Sequence, residues 1–185
     1  MGRTAGRSAG DTRGMVLDAA RDLFLRRGMA ATLDAIAQHA GVSKGGLIYH
    51  FPSKDHLITA LVESLLDAFR RAVHEHLDPD DDRPGRLARA YVRACLHVQD
   101  PGAVREDTIL IAQLITNPAV IDIARSDARR WRDDLTADGL PGRVVSLVMA
   151  AADGASMAVL WGGEPSEAEK EELARQLIDL TLDPT

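Results

Sequence analysis

Apolar residues return every three or four positions through nearly the whole chain, and polar residues fill the intervals. That period is helical, and no stretch of useful length alternates as a half-buried strand would. Residues 15–27 place Val16, Ala19, Ala20, Leu23 and Phe24 on one face, and Gly28 can close that helix in the left-handed conformation. Thr32 can N-cap a second helix through His39, Gly41 can make a tight corner, and Ser43 can cap a third helix that stops before Pro52. Ser53 can cap a fourth, long helix with Leu57, Leu61, Leu65, Phe69 and Val73 in one stripe. The run DPDDDRPG at 78–85 reads as a solvated loop. Beyond it Leu87, Tyr91, Ala94 and Val98 fit a fifth helix and residues 104–115 a sixth. Asn117-Pro118 opens a seventh, with Ala124, Ala128, Trp131 and Leu135 on one face. After a break at Leu140-Pro141-Gly142, residues 144–161 form an eighth helix, ended by Gly162-Gly163. Ser166 and Glu169 make a capping box for a ninth, whose stripe is Leu173, Leu177 and Leu180. We find no internal repeat. The expected class is therefore all-α with about nine helices: a mobile tail at 1–10, a compact head at 11–56 and a helical body at 57–185.

The eighth helix needs a separate decision. It is 18 residues long, and only Ser146, Asp153, Gly154 and Ser156 interrupt its apolar run. Length alone would admit a membrane span. Asp153, however, would then sit near the bilayer centre, at about 2.5–3.5 kcal/mol. A helix apolar all round can instead be buried in protein, and Ala150, Ala151, Ala152, Ala155 and Ala158 would let a neighbour come close. We expect no membrane association.

Charge is unevenly distributed along the chain. Of 185 residues, 22 are Lys or Arg and 28 are Asp or Glu, a net charge of −6 that argues against nucleic acid as a partner. The distribution reverses the inference: residues 1–60 carry +3 and residues 61–185 carry −9. A basic contact module on an acidic body fits that asymmetry. With 4 % aromatics the core must be built mainly from aliphatic residues, and a single cysteine, Cys95, allows neither an intrachain disulfide nor a thiolate metal cluster. A cytoplasmic location is expected, and the opening residues, lacking an apolar run, do not read as a signal peptide.

Candidate chemistry concentrates between Leu33 and Phe51. Two short helices meet at a three-residue corner, Ala40-Gly41-Val42, with Ile36, Ala37, Val42 and Leu47 apolar where crossed helices must pack. This is the spacing of a helix-turn-helix, although a plain helical hairpin would look similar. Ser43, Lys44, Gly45 and Gly46 stand at the N-terminal end of the second short helix. Each glycine costs a helix about 1 kcal/mol relative to alanine. Bare backbone there would let the helix approach base edges and phosphates closely, and its free N–H groups favour an anion. Tyr49 and His50 carry polar tips at the far end, and Lys54 opens the fourth helix, where a cation opposes the dipole unless a phosphate is its partner.

The segment TLDAIAQHAGVSKGGLIYHFPSKDHLITALV resembles the N-terminal domain of TetR-type (tetracycline-repressor-like) transcriptional regulators. The motif match covers residues 15–62, and the helix count fits the whole chain. The resemblance implies a homodimer with a three-helix DNA-binding head and a helical ligand-binding body. Carried over position by position, it makes Thr32, Ser43, Lys44, Gly45, Gly46, Tyr49, His50 and Lys54 the expected contacts to a double-stranded operator. One departure is Ile48, where many members have Tyr. Ala152-Asp153-Gly154 resembles an Asp-Gly pair of the eighth helix in some members. In such proteins the last two helices form the dimer interface, which points here to Ala155, Val159, Leu173, Leu177 and Leu180.

The body offers no catalytic set. His74 and His76, like Cys95 and His97, lie two apart on a helix and point about 200° from each other, so neither pair can chelate or act together. Ser156 and Asp153 share a helix face without a hydrolase motif. Phe69, Tyr91, Ile111, Trp131 and Met157, with Gln113 and Asn117 as polar contacts, could line a mostly apolar pocket. The reading is a ligand-responsive regulator, a repressor released from a palindromic operator by a small, largely apolar effector, with no cofactor, no metal and no enzymatic activity. The alternatives are a helical enzyme, a ligand-independent regulator or activator using the same head, and a purely structural scaffold.

Overall fold

A computed structural model describes residues 9–97 and 100–183. Nine α-helices and two 3-10 turns occur among them, and no strand. The helices are α1 (Ala9–Arg27), α2 (Leu33–His39), α3 (Lys44–His50), α4 (Lys54–Glu75), α5 (Arg86–Leu96), α6 (Pro101–Leu114), α7 (Pro118–Ala137), α8 (Gly142–Met157) and α9 (Glu167–Leu182). They divide into two compact units, one of residues up to Ser64 with Ile109–Ile123, the other of Leu65–Thr108 with residues from Ala124 on. Helix α4 contributes residues to both.

In the first unit α1, α2 and α3 pack on one another. Val16, Ala20, Phe24, Ile36 and Leu47 are fully buried, the positions that periodicity assigns to the inward faces. The caps form as expected: the Thr32 hydroxyl accepts from Ala35 N–H at 3.2 Å, and the Ser43 hydroxyl from Gly46 N–H at 3.0 Å. Gly41 turns the corner at φ +65°, where a β-carbon would be strained. Its N–H and that of Val42 close the end of α2 on the carbonyls of Gln38 and Ala37. Ser53 caps α4 through His56 N–H at 3.2 Å. Among the three head helices one boundary differs. Helix α1 begins at Ala9 rather than near residue 15, reaching into the stretch read as tail. Its first turns hold no apolar stripe to reveal them, but Asp11 there complements the helix dipole. Residues 1–8 of the expected tail, and Val98 of the expected fifth helix, lie outside the described residues.

In the second unit α5 packs on both α8 and α9. Val92, Leu96, Leu135, Val145, Val148 and Ala152 belong to its core. Helix α8 follows Pro141 and passes at Ala158–Trp161 into a 3-10 turn. Gly142–Trp161 is long and apolar enough to cross a membrane, by length and composition alone; its most apolar window has mean hydropathy 1.7 and is 33 % buried within the chain. The capping box of α9 is present, Ser166 and Glu169 bonding reciprocally.

The acidic run at 78–85 is not simply solvated, as its composition suggests. Asp81 is buried and bonds Arg89, which is 1 % exposed, at 2.7 Å. The Arg89 guanidinium also donates to the carbonyls of Pro84 (2.9 Å) and Arg83 (3.0 Å) and to the Thr181 hydroxyl (3.2 Å). Hydrogen bonds from Arg83 and then Arg89 hold the Asp81 carboxyl well below the usual carboxylate range. An arginine on the inward face of α5 requires a carboxylate partner, because an unpaired buried charge is costly. The loop folds in to supply it.

Candidate nucleic-acid interface

Helix α3 is held by one face and offers the other. Leu47 and the C-capping residue Phe51 are buried, while Ile48 is exposed and Tyr49 is 82 % exposed. Gly45 lies three and four residues before Ile48 and Tyr49, so the three share the outward face. A β-carbon at Gly45 would meet nothing within 4 Å. At Gly46 it would lie 3.2 Å from the Ser43 Oγ that caps the helix. The two glycines thus differ: packing inside the chain explains part of Gly46 and none of Gly45.

The eight positions expected to touch DNA fall into distinct local roles. Thr32 and Ser43 cap α2 and α3. Tyr49 stands free on the surface, its ring edge-on to His50 at 5.2 Å. Lys44 is not a bare cation, since its Nζ lies 2.9 and 3.1 Å from the two carboxylate oxygens of Asp34. Nor does Lys54 need a phosphate to explain it. Its Nζ donates to the Met29 carbonyl at 2.5 Å and lies 5.7 Å from the Phe24 ring centroid, tying the start of α4 to the turn after α1. Three further groups shape this surface: Asp34, Asp22, which pairs with His39 (2.7 Å) and Arg26 (2.8 Å), and Arg13, stacked 5.4 Å from the Phe51 ring. Of these only the i, i+4 spacing of Asp22 and Arg26 was visible in one dimension.

The residues expected to line a ligand pocket divide between the two units. In the second, Phe69, Tyr91 and Trp131 form a cluster of near edge-on rings with centroids 5.0–5.7 Å apart. Arg70 covers it, its guanidinium carbon 4.0 Å from the Trp131 ring and its nitrogens bonded to Asp134 (2.7 Å) and Asp127 (3.4 Å). The Tyr91 hydroxyl donates to Asp153 at 2.5 Å. Burial pushes the Tyr91 hydroxyl, the Asp153 carboxyl and the Cys95 thiol upward. Met157 is exposed. In the first unit Ile111 is half-buried, and the Gln113 Oε1 is buried without a hydrogen bond. Asn117 is engaged structurally, capping α7 through Ala119 N–H (3.0 Å) and donating to Asp55 (2.9 Å).

The residues expected at a dimer interface are also placed. Leu177 is 6 % exposed within its own chain, and Leu173 and Leu180 pack beside it against the core of the second unit. Ala155 and Val159 are half-buried and line a cavity of about 40 Å³ next to Cys95 and Ser156. The apolar surface of this region lies elsewhere: Leu147 is 57 % and Trp161 69 % exposed.

A family model described as bacterial regulatory proteins, tetR family, matches residues 16–61, and one described as tetracyclin repressor-like, C-terminal domain, matches residues 85–182. The chain belongs to the TetR family. The HTH-type transcriptional regulator TtgR of Pseudomonas putida is 38 % identical over 78 residues, 42 % of this chain and 35 % of the relative. The HTH-type transcriptional activator FasR of Mycolicibacterium smegmatis is 41 % identical over 85 residues, 45 % of this chain and 38 % of the relative. The chain thus spans little more than a third of the length of these curated relatives, which are named as regulators rather than enzymes. Among solved structures, the multidrug binding protein EbrR complexed with malachite green superposes with a TM-score of 0.72 at 26 % identity, over 91 % of this chain and 97 % of that one.

Proposed function

We propose that this chain is a cytoplasmic, ligand-responsive transcriptional regulator that binds a palindromic duplex operator as a homodimer and, as a repressor, is released by a small molecule. The observation that carries the reading is the outward face of α3, where Tyr49 stands 82 % exposed beside Ile48 and the open Gly45. A large aromatic on a short helix anchored by Leu47 and Phe51, touched only edge-on by the adjacent His50 ring, is left to solvent, and a major groove would cover it. Ser43, Gly45, Gly46, Tyr49 and His50 would meet DNA, with Lys44 drawn from Asp34, while Thr32 and Lys54 set the backbone that presents them. Exposed Leu147 and Trp161 on the stretch that also holds Ala150 and Gly154 support a two-fold contact through α8. In that contact Leu173, Leu177 and Leu180 would back α8 rather than face the partner. The EbrR structure complexed with malachite green supports a small-molecule effector, and the aromatic cluster of Phe69, Tyr91 and Trp131, which would open to receive a largely apolar one, sets its chemistry.

The experiment is a footprint on the DNA flanking the gene, followed by fluorescence anisotropy on the protected site. Tyr49→Ala should weaken binding about 5- to 150-fold, the range of one good contact of 1–3 kcal/mol. Equal affinity of mutant and wild type would remove this face of α3 from the interface. FasR, an activator by name, favours a second reading in which the same head activates; a reporter assay in the deletion strain decides the sign.

A further inference from the structure

We propose that Asp34 restrains binding to DNA of unselected sequence by competing with backbone phosphate for the Lys44 ammonium. The inference rests on the reading of α3 as the DNA-contacting helix. Asp34 stands in the first turn of α2 and Lys44 at the first position of α3, ten residues on. The Gly41 corner brings them together, so that both carboxylate oxygens lie within 3.1 Å of Nζ. Both side chains are largely exposed, and an exposed pair is weak enough for a better acceptor to break it. What the surface presents beside the α3 N-terminus is therefore a neutral pair rather than a cation.

That pairing has a consequence for selectivity. A phosphate must draw Lys44 away from Asp34 and then lie near the carboxylate left behind. The guanine O6 and N7 acceptors, reached in the major groove, offer Lys44 an oriented alternative, and a cytosine N4 amino group could occupy the vacated Asp34. Phosphate lines every sequence, whereas such a base step occurs only at some sites. Asp34 thus lowers affinity everywhere and lowers it least where base edges replace the pair.

The test uses the full chain and a mixed-sequence duplex of about 30 base pairs, long enough for two successive major-groove faces. Anisotropy titrations in KCl between about 50 and 200 mM give affinity and its salt slope. Asp34→Asn should bind about 2- to 5-fold tighter at low salt, the range of an exposed ion pair. Its slope should steepen by about 0.9, the value of one added phosphate contact. In a Lys44→Ala background the same change should leave the slope where it was. Unchanged affinity and slope in Asp34→Asn would overturn the proposal, as would equal steepening in both backgrounds, which would mean that Asp34 acts through net charge alone. Failure of the wild type itself to bind the duplex would instead sink the DNA-binding reading. Asp34→Ser, which keeps a short polar side chain in the first turn of α2, is the substitute should the Asn form melt lower.

Discussion

Replacing Gly45 by alanine separates a folding role from an interface role. Gly45 is the second residue of α3, and its conformation is helical with φ negative. The added β-carbon would meet no atom within 4 Å. Inside the chain the substitution should therefore be neutral or favourable, by up to about 1 kcal/mol from helix propensity. For a chain of this size that corresponds to a melting rise of about 2–4 °C. At the interface the sign reverses. If DNA approaches the α3 backbone at Gly45, one turn before Ile48 and Tyr49, a methyl group there stands off the groove and lengthens contacts of 1–3 kcal/mol, about 5- to 150-fold in affinity. Gly46 gives a less clean answer, since its β-carbon would press within 3.2 Å of Ser43 Oγ and disturb a cap worth about 1 kcal/mol. The measurements are a thermal melt by circular dichroism and anisotropy on the footprinted site. A Gly45→Ala protein that melts no lower than wild type and binds equally well would refute the close-approach account.

Three further outcomes are expected. Arg89→Met leaves Asp81 buried with only Arg83 as its cation and should lose about 3–5 kcal/mol in urea unfolding, much of it recovered in Arg89→Met/Asp81→Leu; an undamaged single variant would refute the charge argument. Because the folded state holds the Asp81 pKa below its unfolded value near 3.9, the pair stabilises fully above that pH and loses its contribution as pH falls further, so melts of wild type and Asp81→Asn should converge on acidification below about pH 4. Leu147→Glu should give folded monomers in sedimentation whose melting temperature no longer depends on protein concentration, whereas Leu177→Glu, which puts a charge into the chain's own core, should unfold the second unit; a Leu147→Glu dimer would move the interface off α8.

Most elements and their caps were legible in the sequence because they depend on neighbours within one helical turn; the starts of α1 and α6, earlier than their apolar stripes, were not. Thr32, Ser43 and the Ser166–Glu169 box cap the helices they were expected to cap, Gly41 turns the corner at positive φ, and α3 stops before Pro52. Leu47 was legible as an inward residue for the same reason and Tyr49 as one with a polar tip to offer, but the division that buries Phe51 and exposes Ile48 was not. Partners were not. Lys54 bonds a carbonyl 25 residues away, Lys44 a carboxylate ten away, and Arg89 a hydroxyl 92 away. Which acceptor a long cationic side chain reaches depends on how helices cross, and periodicity carries no information about crossing. The stripe of Leu173, Leu177 and Leu180 shows the same limit: spacing says that a face is apolar, but not whether its own chain or another covers it. Only the packing of α9 on α5 and α8 turned Leu177 inward and left Leu147 in solvent, because burial belongs to the assembled surface rather than to any one helix.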